Sequence, residues 1–310
     1  MNESGIFSAS DLVNSPDVFA RSEPPIRLGV FGDPVAHSKS PVFHNAALEA
    51  SGIAARYAKI HVTPDEAVAA FRALPAAGFL GVNVTIPHKA AALAAVDEAD
   101  PYAQRAGSVN TVVVEGNRLH GFNTDGPGLV RALREEFSVD LRDLRVVLLG
   151  AGGGAGRAIA VQCAIESCER LVLANRTFEK ARDLASELAS SFRDDRLVGP
   201  MERILAVPMD SPELKAQLDH ADIVINASSV GMRRSDPALI PAAWLTPNMM
   251  VYDTVYASGR SRLLEDAAAA GARTANGLSM LLHQGALSFE IWFNRAAPLE
   301  VMRAAMLALP

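Results

Sequence analysis

The stretch 145-RVVLLGAGGGAGRAIA-160 joins an apolar run, a glycine-rich turn and a second apolar run without a break. The first run is rich in valine and leucine and reads as a buried strand, while the second carries a helical pattern. Gly150 and Gly152 fit the first two glycines of a G-x-G-x-x-G turn, and the third place falls to Ala155, or to Gly156 after a one-residue insertion. A turn in this setting presents backbone N–H groups and the positive end of a helix to a pyrophosphate. Gly150, Ala151, Gly152, Gly153, Gly154 and Ala155 are therefore candidate cofactor-binding residues.

In NAD-binding turns of this type an acidic residue about 20 positions onward accepts from the ribose hydroxyls. Here the next strand ends 174-ANRT-177, with no acid. Arg176 offers a planar cationic fork to a 2′-phosphate, Thr177 a hydroxyl and a cap for the next helix, and Asn175 a partner for the ribose. The pattern favours NADP over NAD.

Outward from the turn, apolar strands are predicted at 145–150, 170–174, 203–207, 222–227 and 250–255, each separated by a helix-length interval. This is the layout of a doubly wound nucleotide-binding domain. An earlier series at 27–31, 56–62, 79–85 and 109–115 forms another α/β unit. The tail 277-GLSMLLHQGALSFEIWF-293 reads as a long apolar helix able to return and cover that first unit.

With 310 residues the chain exceeds the size at which single cores stop growing, so two domains are expected. A net charge of -6 without a long basic run argues against a nucleic-acid partner, and the apolar runs are too short to span a bilayer. Cys163 and Cys168 supply neither a disulfide framework nor a zinc spacing, so no metal is expected and a cytoplasmic location fits. Residues 1–25 lack the basic start and apolar centre of a signal peptide and read as an extension outside the fold.

Chemistry is suggested by 83-NVTIPHK-89, a strand that breaks at Pro87 with Asn83, Thr85, His88 and Lys89 around the break. Reduction of a carbonyl by hydride needs a proton for the oxygen, and a lysine oriented by a carboxylate can supply it. Lys89 and Asp125, 36 residues apart, are candidates for that pair. Asp125 also stands where a helix cap belongs, ahead of a face formed by Leu129, Leu133 and Phe137.

The stretches 32-GDPVAHSKSPVFHN-45, 81-GVNVTIPHK-89, 107-GSVNT-111, 121-GFNTDG-126, 150-GAGGGAGRA-158, 174-ANRT-177, 226-NASSVGM-232, 252-YDTVY-256 and 276-NGLSMLLHQGA-286 together resemble the shikimate dehydrogenase family, in the family's order. The resemblance implies an α/β chain with an N-terminal substrate domain at 26–124 and 277–310. It also implies a Rossmann-like NADP-binding domain at 125–276 and C-terminal helices that return to the first domain. The implied activity is reversible NADPH-dependent reduction of 3-dehydroshikimate to shikimate, in a monomer or homodimer. Carried over by position, the family's catalytic lysine and aspartate fall on Lys89 and Asp125. Its substrate-binding residues fall on Ser38, Ser40, Asn83, Thr85, Asn110 and Gln284, with Tyr256 at the substrate edge. Ser228, Met232, Gly277 and Met280 match positions near the nicotinamide. His37, His44 and His88 adjoin these motifs without a catalytic assignment. Ser40 and the ANRT turn resemble the shikimate-specific, NADP-using members more than quinate- or NAD-preferring relatives. The presence of both Lys89 and Asp125 speaks against a catalytically silent NADP sensor.

Overall fold

In the computed structural model of the protein, residues 5–192, 202–256 and 260–308 are described. They form two compact units, one of residues up to Gly128 together with those from Leu281, the other Leu129–Met280. The division falls inside the helices Asp125–Phe137 and Leu278–Phe293, four residues later at each end than the sequence predicts.

The first unit contains strands β1 (Ile6–Ser8), β2 (Ile26–Gly32), β3 (Arg56–His61), β4 (Gly81–Val84), β5 (Glu98–Ala99), β6 (Thr111–Glu115) and β7 (Arg118–Phe122). They make one sheet in the order β1-β3-β2-β4-β6-β7-β5 among the described residues. β1 to β4 run parallel, whereas β6 is antiparallel to both β4 and β7. A tight turn through Gly116, at φ +59, joins β6 to β7 and makes that local reversal possible. The sequence does not announce β7, because 118-RLHGF-122 has a charged start and an interior glycine.

The apolar core of this unit is continuous from Ile26, Phe31 and Ile60 to Phe71, Val82, Val112 and Leu119. The helix Leu278–Phe293 does return to this sheet: Trp292 donates its indole N–H to the Val112 carbonyl at 3.0 Å. Gly81 leaves the room, since a side chain there would stand 2.2 Å from the Val112 carbonyl and 2.3 Å from the Trp292 nitrogen.

The expectation that residues 1–25 lie outside the fold is corrected for residues 5–25. β1 adds in parallel to β3, with Phe7 opposite Ile60. Ser8 and Asp11 close a capping box at the start of the helix Ala9–Asn14. Leu12 and Phe19 are fully buried, and the Phe19 ring lies 4.9 Å from Phe7 and 5.1 Å edge-on to Phe79. A three-residue strand and two short helices carry too little periodicity to be seen in a serine-rich sequence, but their apolar side chains fill the core edge.

The second unit contains β8 (Arg145–Leu149), β9 (Arg170–Asn175), β10 (Ile204–Pro208), β11 (Ile223–Asn226), β12 (Met250–Asp253) and β13 (Arg273–Asn276). All described pairings are parallel, in the order β10-β9-β8-β11-β12-β13. This is the doubly wound 3-2-1-4-5-6 order, in which the strand order reverses between β8 and β11. Both faces of the sheet are covered, so Val147, Leu149, Val172, Val224 and Val251 are buried and the strands read as near-continuous apolar runs.

Phe19→Ala is expected to destabilise the first unit by about 3 to 5 kcal/mol, as loss of a fully buried aromatic does. Thermal or denaturant unfolding checks this, and an unchanged midpoint would show that the N-terminal segment does not hold the fold.

Candidate active site

β4 ends at Val84, and the chain turns through Thr85, Ile86 and Pro87 into the helix Lys89–Ala95. Two contacts fix this turn. The Thr85 N–H donates to the Phe31 carbonyl at 2.9 Å, and the buried His88 ring donates through Nε2 to the Val62 carbonyl at 2.6 Å. Gly32 lets the turn lie close, because a side chain there would meet the Thr85 methyl at 2.5 Å. His88 is thus a backbone anchor, and Lys89 is delivered as the first residue of a helix.

Asp125 is the first residue of the helix Asp125–Phe137, and its N–H donates to the Asn123 side-chain oxygen at 3.0 Å. Its carboxylate is not spent on capping its own helix, in contrast to the plainer reading of the sequence. Oδ2 accepts from Lys89 Nζ at 2.6 Å, and Oδ1 accepts from Asn110 Nδ2 at 2.9 Å. The Lys89 and Asp125 side chains are 17% and 6% exposed. A carboxylate is favoured at a helix N-terminus and an ammonium is not, so Asp125 supplies the charge that keeps Lys89 in place at the start of its own helix.

Asn110 links this pair to the C-terminal helix: its Nδ2 also reaches Gln284 Oε1 at 3.4 Å, while Gln284 Nε2 donates to the Leu281 carbonyl at 2.8 Å. Gly128 permits the approach, since a side chain there would lie 2.9 Å from the Gln284 backbone. Four of the predicted residues, Lys89, Asp125, Asn110 and Gln284, therefore form one hydrogen-bonded cluster.

Asn83 has a different place from the one expected. It is buried, its Oδ1 accepts from the Tyr57 hydroxyl at 2.8 Å, and its Nδ2 donates toward the Asn110 carbonyl, Thr111 Oγ1 and Ser288 Oγ at 2.9 to 3.2 Å. These bonds engage both ends of its amide, so it underpins the cluster instead of facing a ligand. Thr85 is half-buried beside the turn.

Ser38 and Ser40 lie at the start of the helix Ser40–Ala50, with the Ser40 N–H donating to Ser38 Oγ at 3.3 Å. β3 holds the loop before them: Lys59 donates to the Ala36 carbonyl, and His61 Nε2 lies 3.0 Å from Asp33 Oδ1. Burial pushes the Tyr57 phenol well up, opposed by the Ser40 hydroxyl beside it. His37 is exposed. His44 is fully buried and stacks on Tyr57 at 4.5 Å, with no hydrogen-bond partner for either ring nitrogen among the described residues. Burial drives its pKa down to about 3, so it is a neutral packing residue.

In the second unit the turn after β8 is built for close approach. Gly150 has φ +84, and a side chain there would strike the Ser228 backbone at 2.7 Å. The helix Gly154–Ile165 starts at Gly154. The register question is settled by Gly156, whose added side chain would lie 2.2 Å from the Gly150 carbonyl, so Gly156 and not Ala155 is the third close-packing glycine. Gly153 and Gly154 accommodate the extra residue.

Asn175 Oδ1 accepts from the Gly152 N–H at 3.1 Å, and its Nδ2 donates to the Thr177 carbonyl at 2.9 Å, so this side chain clamps the turn. The expected ribose contact gives way to that role. Thr177 stands at the N-cap of the helix Phe178–Leu188 but makes no side-chain cap bond, leaving its hydroxyl for another partner. Arg176 is exposed beside it. Lys180, which carries no signal in the sequence, lies against the turn, with its Cβ 2.9 Å from where a Gly152 side chain would begin.

Ser228 is set by Asn226, whose Oδ1 accepts from the Ser228 N–H at 2.9 Å and hydroxyl at 2.7 Å. Asn226 Nδ2 in turn donates to Asp253 Oδ1 at 2.9 Å, which ties the ends of β11 and β12 together. Burial raises the Asp253 carboxyl. Met232 is 52% exposed, unusual for a methionine in a strand-end loop. Met280 is buried, and its N–H donates to the Tyr252 hydroxyl at 3.1 Å. Gly277 presses on the end of β12, where a side chain would lie 2.0 Å from the Thr254 carbonyl. Burial also raises the Tyr256 phenol. Gly150 to Gly154, Arg176, Thr177, Ser228, Met232 and Gly277 thus gather at the C-terminal ends of parallel strands, where open α/β sheets take their ligands. A positive helix end and an exposed guanidinium suit a phosphorylated dinucleotide.

Comparison with known proteins agrees with this geometry. Residues 30–112 match the model of the shikimate dehydrogenase substrate binding domain, 132–234 that of shikimate / quinate 5-dehydrogenase, and 277–307 that of the shikimate 5′-dehydrogenase C-terminal domain. The shikimate dehydrogenase (NADP(+)) of Methanopyrus kandleri is 43% identical over 90% of this chain and 94% of its own. A crystal structure of a shikimate dehydrogenase with NADP+ superposes with a TM-score of 0.82 at 37% identity, covering 90% of this chain and 94% of that one. The shikimate 5-dehydrogenase of Thermus thermophilus, in complex with NADP(H) and shikimate, gives 0.78 at 35% identity over 91% of this chain and 98% of that one.

The Lys89–Asp125 pair makes a thermodynamic prediction. Lys89→Met strands a buried carboxylate and is expected to lower stability by about 3 kcal/mol, while adding Asp125→Asn recovers a large part of the loss. Equilibrium unfolding of the two single variants and the double variant checks this, and strictly additive losses would contradict the coupling.

Proposed function

The chain belongs to the shikimate dehydrogenase family, and from that premise we propose that it catalyses the reversible NADPH-dependent reduction of 3-dehydroshikimate to shikimate. The observation that carries the catalytic assignment is the 2.6 Å contact between Lys89 and Asp125, mostly shielded from water and tied to Asn110 and Gln284.

The chemistry sets the roles. NADPH, when bound, supplies the hydride. Reduction of the 3-keto group leaves negative charge on its oxygen, and Lys89 donates the proton that neutralises it. In the reverse direction Lys89 receives that proton. Asp125 keeps the ammonium oriented and balances its charge, and Asn110 keeps Asp125 oriented. Ser38 and Ser40, at the start of a helix that follows a loop braced by β3, grip the substrate carboxylate. Thr85, Asn110 and Gln284 engage the ring hydroxyls, and Tyr256 is assigned to the substrate edge. Asn83 supports these groups from beneath.

For the cofactor, the turn from Gly150 to Ala155 holds the pyrophosphate, and Arg176 with Thr177 holds the 2′-phosphate. Ser228, Met232, Gly277 and Met280 border the nicotinamide. The exposed Arg176, the uncommitted Thr177 hydroxyl and the absence of an acid at the end of β9 support NADP. Both cysteines are unpaired and buried, which fits work in the reducing cytoplasm, although no redox chemistry is assigned to them. No described helix is long and apolar enough to cross a membrane.

A steady-state assay of shikimate and quinate, each with NADP+ and NAD+, tests the assignment. The highest kcat/KM is expected for shikimate with NADP+, and preference for quinate with NAD+ would contradict it. Arg176→Ala is expected to raise KM for NADP+ by about tenfold or more while leaving that for NAD+ nearly unchanged, in line with loss of a charge-assisted phosphate contact.

A further inference from the structure

Beneath the Lys89–Asp125 pair lies a chain of buried polar side chains, three of which, Tyr57, Thr111 and Ser288, none of the expected roles requires. The Tyr57 hydroxyl reaches Asn83 Oδ1 at 2.8 Å, and Asn83 Nδ2 reaches Ser288 Oγ at 2.9 Å. Ser288 Oγ lies 2.8 Å from Thr111 Oγ1, which lies 3.0 Å from Asn110 Oδ1. Asn110 Nδ2 then reaches Asp125 Oδ1 at 2.9 Å. Ser288 and Thr111 have no exposed surface, so water cannot replace the bonds they make.

Donor and acceptor chemistry gives the chain one direction. The Asp125 carboxylate only accepts, so Asn110 must turn its NH2 toward it and its carbonyl oxygen toward Thr111. That oxygen also only accepts, so the single Thr111 proton is committed to it. The Thr111–Ser288 contact then needs the Ser288 proton, and Ser288 is left to accept from Asn83. The Gln284 carbonyl, 3.0 Å from Ser288 Oγ, is the competing acceptor, so the series is complete when the Ser288 hydroxyl turns to Thr111 at 2.8 Å. Every link points the same way, and bonds in such a series strengthen one another. Asn110 cannot flip its amide without breaking bonds at both ends.

We propose that Ser288 is a positioning residue for catalysis: through Thr111 and Asn110 it fixes the Asp125 carboxylate, and with it the Lys89 ammonium, in the orientation that proton transfer requires. This rests on the function proposed above. Ser288 touches neither reacting group, and its position four residues after Gln284 puts it on the same helix face, one turn deeper. Its removal therefore loosens the pair without removing a substrate contact.

The test compares Ser288→Ala, Thr111→Val and Thr111→Ser with the parent protein in steady-state turnover of shikimate with NADP+, alongside thermal unfolding and NADP+ binding by fluorescence. Ser288→Ala and Thr111→Val are expected to lower kcat by about three- to tenfold, the worth of one hydrogen bond, with both KM values and NADP+ affinity within about twofold of the parent. Thr111→Ser, which keeps the hydroxyl, is expected to retain most of kcat. If Ser288→Ala does not fold, the two Thr111 variants carry the same comparison. Parental kcat in Ser288→Ala and Thr111→Val, or a Thr111→Ser as impaired as Thr111→Val, would overturn the inference. Absence of turnover in the parent would be a failure of the functional reading, which the parent arm reports separately.

Discussion

A lysine ammonium and an aspartate carboxylate in contact and largely out of water are the constraint on which the first unit depends. Neither charge tolerates its position alone, because each has lost most of its hydration and the ammonium sits at the unfavourable end of a helix dipole. The surrounding structure is arranged to deliver both. The His88 bond to Val62 sets the turn that starts the lysine helix, the Asn123 bond starts the aspartate helix, and Asn110 holds the carboxylate at the angle where Lys89 meets it. The close approaches at Gly32 and Gly128 follow from the same demand, since Gly32 brings β2 against the Thr85 turn and Gly128 brings the C-terminal helix against the start of the aspartate helix.

The second unit applies a different constraint, that backbone must come close to backbone at the end of β8. Gly150 against Ser228 and Gly156 against Gly150 keep the turn tight, its N–H groups from Gly150 to Gly153 bonded within the protein, and Asn175 and Asn226 pin the flanking strand ends. Two buried or half-buried asparagines thus rigidify the rim, while the groups suited to phosphate, Arg176 and Thr177, stay uncommitted. Fixed donors around an anionic ligand avoid reorganisation when it binds.

Much of this was legible in the sequence because the signals were local. Strand, glycine turn and helix adjoin one another at 145–160, and a missing acid after the next strand is visible within 30 residues. Lys89 and Asp125 were legible as a pair only through the chemistry they share and the family resemblance, since nothing in the spacing shows that they touch. What stayed hidden was set by tertiary packing. The segment 6–20 gave no periodic signal, and its place in the core comes from Phe7, Leu12 and Phe19 meeting a sheet formed elsewhere. Asn83 was expected at the substrate only through the family resemblance, and Asn175 at the ribose through its place at the end of β9, yet their amides are used internally. Ser288 left a faint trace, a hydroxyl one helical turn from Gln284 in a mostly apolar helix, which only the buried neighbours explain.

The most direct measurement of the central claim is the rate of the hydride-transfer step in a single turnover, followed by nicotinamide fluorescence after mixing 3-dehydroshikimate with NADPH-loaded Lys89→Met. If Lys89 is the proton donor, that rate falls by about a hundredfold to ten-thousandfold while both ligands still bind. A rate equal to that of the parent protein would contradict the claim and remove the lysine–aspartate pair from the chemistry.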